Sequence, residues 1–132
     1  MSSYTFQAFG HPNIRATHAT TLEFTRDVSV SLRGDCIVGV NADFKIRELQ
    51  RLLGAGHIAL TIAVGGLQEK FTAIPNKEFA GSQELVIRTT AFVSARTFAI
   101  LSEKAAKDIN RKLIDCCKTP NAKITVTLSS QH

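Results

Sequence analysis

The chain has 132 residues, room for one domain and too little for two with separate cores. Apolar residues make up 44% and charged residues 20%, which excludes a disordered or collagen-like chain. Sixteen Lys and Arg against eleven Asp and Glu give +5, a basic excess that favours polyanions without demonstrating one, while a single Tyr and no Trp argue against a surface that stacks many bases.

The N-terminal residues Met-Ser-Ser-Tyr-Thr-Phe lack both a basic start and an apolar run, so no secretory signal is expected. The stretch from Thr17 to Thr25 reads as a strand, with Ala16, His18, Thr20, Leu22 and Phe24 on one face. Arg26-Asp27 is short enough for a tight hairpin into a second strand, Val28 to Arg33, where apolar and polar residues alternate. Asp35 to Ala42 is more apolar and reads as a third, central strand, so the three predict an antiparallel meander. Asp43 is placed to cap a helix carrying Ile46, Leu49, Leu52 and Leu53, which Gly54 and Gly56 would end in left-handed geometry.

Residues 57–64 and 67–74 flank Gly65-Gly66, a strong two-residue hairpin signal. Residues 75–82 read as a loop and 84–93 as a strand, while Phe98 to Leu101 is ambiguous. Ser102 is placed to cap a second helix over 102–117, with Ala105, Ile109, Leu113, Cys116 and Cys117 as its buried stripe. Pro120-Asn121 turns the chain into a last strand, Ile124 to Leu128. These elements predict one domain over 1–132, α+β, mainly antiparallel β-sheet able to curl into a barrel, with two α-helices.

The most apolar run, Ile58 to Leu67, is interrupted by Thr61, Gly65 and Gly66 and falls short of the ~20 residues that span a bilayer. Adjacent Cys116 and Cys117 cannot pair without strain, and no CxxC is present with Cys36. A reduced, cytoplasmic chain with no membrane association is expected. The G-x-G-x-x-A match at Gly54 to Ala59 follows a helix and precedes a strand, the reverse of what dinucleotide binding needs, and is read as a helix stop.

Four constellations could carry chemistry. A nuclease core needs an acid on one strand and an acid-x-lysine nearby to hold a metal and activate water. Asp43-Phe44-Lys45, with Glu23 or Asp35 upstream, is the only such set, and its plainer reading is a cap and a solvated lysine. His11, His18 and Glu23 have ligand chemistry suited to a divalent metal, although His18 and Glu23 fall on opposite faces of a regular strand. On the second helix Lys104, Lys107 and Arg111 follow i, i+3, i+7 and form a basic stripe able to track phosphates, or simply a solvated face. Arg88 and Asp35 lie on apolar strands, where a charge must be paired or exposed; they are either a structural ion pair or a substrate-binding pair.

Several stretches resemble the archaeal family catalogued as domain of unknown function 371. They are His11-Pro12-Asn13-Ile14-Arg15-Ala16-Thr17-His18, Thr20-Thr21-Leu22-Glu23-Phe24-Thr25 and Arg33-Gly34-Asp35-Cys36-Ile37-Val38-Gly39-Val40, followed by Val86-Ile87-Arg88-Thr89-Thr90, Arg96-Thr97 and Lys104-Ala105-Ala106-Lys107-Asp108. The resemblance implies an archaeal, cytoplasmic, single-domain protein. A nuclease label has been attached within that family, with no catalytic residue to carry over.

The leading expectation is therefore a small basic domain that binds or processes DNA or RNA, including a metal-dependent nuclease. Its candidate catalytic residues are Glu23, Asp35, Asp43 and Lys45, and its substrate-binding residues are Arg88, Arg96, Lys104, Lys107 and Arg111. His11, His18 and Glu23 are the candidate ligands for a divalent metal. The first alternative is an enzyme or binder for a small anionic metabolite with a His/Asp/Arg pocket; the second is a structural subunit of a larger assembly.

Overall fold

Strand β1 (Ser3–Phe9) alternates, turning Phe6 and Ala8 into the core. In the computed structural model, which describes residues 2–131, it pairs antiparallel with the last strand, β8 (Lys123–Gln131), whose Ile124, Val126 and Leu128 also point inward. On its other side β8 pairs with β4 (His57–Val64), which turns into β5 (Leu67–Pro75). The turn is the expected two-residue hairpin: Gly65 and Gly66 have φ of 59° and 80°, the left-handed pair a type I′ turn requires and glycine adopts without a Cβ penalty.

Beyond β5 the sheet continues through β7 (Thr97–Ile100), β6 (Glu84–Arg88), β2 (Thr21–Thr25) and β3 (Ile37–Gly39). The eight strands form one mixed, mainly antiparallel sheet in the order β1-β8-β4-β5-β7-β6-β2-β3. The sheet curls without closing into a continuous ladder. Its edges meet at one antiparallel bridge, Phe9–Val40, where the two residues exchange backbone hydrogen bonds of 2.7 and 2.9 Å. Gly39 permits this approach, since a Cβ there would lie 2.7 Å from the Cβ of Ala8. The curled sheet encloses a core in which Phe6 packs edge-on against Phe24 and Phe44. Two short helices complete the α+β fold. Helix α1 (Ile46–Arg51) buries Leu49, and α2 (Arg111–Cys117) buries Leu113, Ile114 and Cys117 against the sheet. No described helix is long and apolar enough to cross a membrane.

The meander expected near the N-terminus does not form. The predicted strand over 17–25 is confined to Thr21–Thr25, because Ala16 takes a left-handed φ of 50° and His18 folds back onto the backbone of Thr20 and Thr21. The alternating 28–33 segment has no partner strand. Only Val30 reaches the core, while Val28 and Leu32 are 74% and 59% exposed. Without a hairpin at Arg26-Asp27, β2 lies between β6, antiparallel, and β3, parallel. Alternation identifies a face, whereas the partner is chosen by contacts distant in sequence.

The helices are shorter than expected. Asp43 does not cap α1: its Oδ1 accepts from the Gln7 N–H at 2.7 Å, and Lys45 occupies the cap position. The positive-φ glycines are Gly65 and Gly66, so Gly54 and Gly56 do not end α1 in left-handed geometry. The predicted helix over 102–117 splits into a 3-10 turn (Ala106–Asp108) and α2, which begins where Asn110 Oδ1 accepts from the N–H groups of Lys112 and Leu113. Ser102 instead bonds to the backbone of Lys104. The expected strand over 84–93 stops at Arg88, and the ambiguous 98–101 run belongs to β7 as far as Ile100.

Candidate functional site

All five residues of β2 are buried, although they alternate between apolar and polar. Leu22 and Phe24 enter the main core; Thr21, Glu23 and Thr25 face the other way and are nevertheless 5%, 5% and 1% exposed. On β6 the same outer face carries Glu84, Val86 and Arg88, opposite Thr25, Glu23 and Thr21. Val86 is fully buried outside the main core. The loop between β6 and β7 adds Ser94 and Arg96, and the segment entering β3 adds Cys36. A polar cluster is thus assembled on the outer face of β2, β6 and β7.

Glu23 is its acid. One carboxylate oxygen lies 3.6 Å from Arg96 Nη1 and 3.6 Å from Cys36 Sγ, whose thiol donates to it. Arg96 is half exposed and also holds Glu84 in a tighter contact. Burial, and then the negative charge of Glu84, push the Glu23 carboxyl above the usual glutamate range, with Arg96 offsetting them only in part. The same burial, reinforced by Glu23, pushes the Cys36 thiol up to about 12, so Cys36 is a neutral hydrogen-bond donor here and not a thiolate nucleophile.

Arg88 donates to Thr97 Oγ1 at 3.0 Å and reaches Thr21 Oγ1 at 3.5 Å, and its guanidinium lies 4.9 Å from the ring centre of Phe92. Thr97 also accepts from the Ser94 N–H. Burial, followed by the positive charge of Arg96, draws Arg88 below the ordinary arginine value. Two guanidinium groups in electrostatic range, with hydroxyls bonded to Arg88, form a setting that an anion would relieve.

Three predicted residues therefore come together: Glu23, Arg88 and Arg96. The expected Asp35–Arg88 ion pair is not among the ion pairs of the described residues. Arg88 binds threonines, while the Asp35 carbonyl accepts from the N–H groups of Thr17 and His18. Asp43 and Lys45 lie at the start of α1, where Asp43 ties to β1. His11 Nδ1 accepts from the Asn13 N–H, and His18 Nδ1 from those of Thr20 and Thr21, each at 3.1 Å. Among the described residues no group of three His, Cys, Asp or Glu is gathered to hold a metal.

The stripe of Lys104, Lys107 and Arg111 loses its common helix. Lys104 pairs with Glu69 at 3.3 Å, and Lys107 lies 3.9 Å from Asp108. Arg111 donates to the carbonyls of Ile109, Ala16 and Ala106 at 3.0, 2.9 and 2.7 Å, tying the loop ahead of β2 to the 3-10 turn. Cys36, Glu84, Thr21, Thr97 and Ser94 were missed as site residues. The Asp-Cys step at 35–36 beside an apolar run was the only local signal for one of them, since the rest meet through non-local pairing.

Of the six segments that carry the family resemblance, four (20–25, 33–40, 86–90 and 96–97) contribute to this face. The family described as Domain of unknown function (DUF371) matches residues 6–131. An uncharacterized protein of Methanocaldococcus jannaschii, MJ0206, is 32% identical over 118 residues, which covers 84% of this chain and 87% of the relative. With the match spanning nearly the whole fold, the chain belongs to the DUF371 family.

Proposed function

We propose that the protein binds a small anionic metabolite at the outer face of β2, β6 and β7, with Arg88 and Arg96 holding the anion and Glu23 able to exchange a proton with it. The observation that carries this reading is Glu23 itself: a carboxyl group 5% exposed, away from the apolar core, with a half-exposed arginine shared with a second acid as its cation. An acid raised by burial holds its proton nearer neutral pH and can act as a general acid or base toward a ligand on the arginines. The threonine and serine hydroxyls beside Arg88 supply orienting hydrogen bonds, and the half-exposed guanidinium of Arg96 supplies a fork for a carboxylate or phosphate.

Nucleic-acid binding has less support. The residues chosen to track phosphates are spent on Glu69, Asp108 and three backbone carbonyls rather than presented as one stripe. The net charge of +5 still favours polyanions in general.

Calorimetric titration with acetate, succinate, citrate and glycerol phosphate at low ionic strength tests the metabolite reading. Saturable binding of at least one probe is expected, weakened about tenfold in Arg96→Gln by loss of a charge-assisted contact. Failure of every probe to bind at millimolar concentration, or unchanged affinity in Arg96→Gln, overturns it.

A further inference from the structure

A second charged region lies on a different part of the surface, beside α1. Tyr4, Lys45, Arg47, Glu48 and Arg51 line an open cleft of about 540 Å³. Tyr4 comes from β1, Lys45 immediately precedes α1, and the other three lie on α1. Three cations thus face one carboxylate, and that carboxylate is already engaged: Glu48 lies 3.2 Å from Arg51. Among the described residues, neither Lys45 nor Arg47 has an ion-pair partner. Both are exposed.

The Tyr4 hydroxyl completes the set. Its oxygen accepts from the Lys45 N–H at 2.8 Å, which fixes the phenol at the cleft and leaves its own hydrogen free to donate. Burial pushes Tyr4 above the usual tyrosine value, and Asp43 and Glu48 add to that shift, so the phenol stays protonated as a donor. A lysine ammonium supplies a point charge, an arginine supplies a planar fork, and a phenol supplies one directed hydrogen bond. Together they match the several acceptor oxygens and the double charge of a phosphate group.

We propose that this cleft is a phosphate-binding site that takes the phosphate group of a small phosphorylated molecule, held by Lys45, Arg47, Arg51 and the Tyr4 hydroxyl. It is independent of the anion site at Arg88 and Arg96. A phosphodiester chain offers related chemistry with one charge per phosphate, so the test separates the two.

Tyr4 is the only tyrosine in the sequence, so protein labelled with ¹³C-tyrosine gives ring signals from the cleft alone. Titration with pyrophosphate at low ionic strength is expected to shift those signals saturably. Lys45→Gln and Arg47→Gln, both exposed changes that leave the amide spectrum of the fold intact, are each expected to weaken binding about tenfold. Lys112→Gln on α2 should leave it unchanged. No saturable shift with pyrophosphate, or an Arg47→Gln protein that titrates like the parent, overturns the proposal. A thymidine oligonucleotide that shifts Tyr4 where pyrophosphate does not also overturns it, and assigns the cleft to a nucleic-acid backbone instead.

Discussion

Strands β1, β8, β4 and β5 are seven to nine residues long and pair as an uninterrupted antiparallel ladder, whereas β7, β6, β2 and β3 are three to five residues long and include both parallel pairs. The ladder half buries one face and leaves the other half-buried, as the pattern of β8 illustrates. In the short-strand half β2 is covered on both faces, and its outer face is polar. Long regular pairing supplies cooperative stability; short strands with shifted register leave loops that can bring Arg88, Arg96 and Cys36 over one buried acid. The difference teaches where to look for chemistry: on the half whose polar groups are buried without being needed for the core.

The largest effect should come from breaking the ladder half. Leu60 is fully buried and sits between Phe71 and Leu128 in the register. Leu60→Ala should cost about 2–5 kcal/mol in urea unfolding through lost burial and a residual cavity. The loss should be global and should leave anion binding by the remaining folded protein unchanged.

Arg111 sharpens the comparison next, because it holds the loop that precedes β2. Replacing it with Leu should cost about 1–3 kcal/mol, since it removes hydrogen bonds from a charged donor to three carbonyls. Hydrogen exchange should rise at residues 16–20 before it rises in β4 or β8. Arg111 thus serves neither as a phosphate-tracking residue of a helix stripe nor as a merely solvated charge. Lys107, exposed beside Asp108, should show only a small effect, within about 0.5 kcal/mol for Lys107→Gln. A smaller loss than that of Arg111, about 1 kcal/mol, is expected for Gly65→Ala, because φ of 59° is strained for a residue with a Cβ.

The same division explains what could be read from the sequence. The Gly65-Gly66 hairpin, the α1 core positions and the last strand were legible because each is set by local alternation, helical spacing or turn chemistry. Val28 to Arg33 carried as clear an alternation, yet no strand pairs with it, since pairing depends on partners remote in sequence. The 102–117 segment has a helical apolar spacing, but Asn110 accepts two backbone N–H groups and restarts the chain there. Site residues followed the same rule. Glu23, Arg88 and Arg96 were candidate site residues from the sequence, Arg88 as a charge on an apolar strand, whereas their convergence depends on β2 pairing with β6 and β6 with β7. The pairing of Arg88 with hydroxyls instead of Asp35 had no local signature.

The pH dependence of stability should isolate the polar half with the smallest energetic change. The Glu23 carboxyl is raised in the folded chain, so the folded state holds a proton that the unfolded state has already released. Its contribution to stability is therefore greatest below the ordinary glutamate value and declines as pH rises through the interval up to the raised one. Glu23→Gln should remove that decline, giving a flatter stability profile in urea unfolding across this interval, while Glu103→Gln, an exposed acid elsewhere, should not.

The account rests on Glu23 being a buried, proton-holding acid beside an anion site, and ¹³C NMR titration of its side-chain carboxyl measures that most directly. In the free protein the midpoint should lie above the ordinary glutamate value. Saturation with the tightest-binding carboxylate of the calorimetric panel should raise it further, since a second negative charge on Arg88 and Arg96 disfavours ionisation. A Glu23 midpoint at the ordinary value that does not move when the anion is bound would contradict the account.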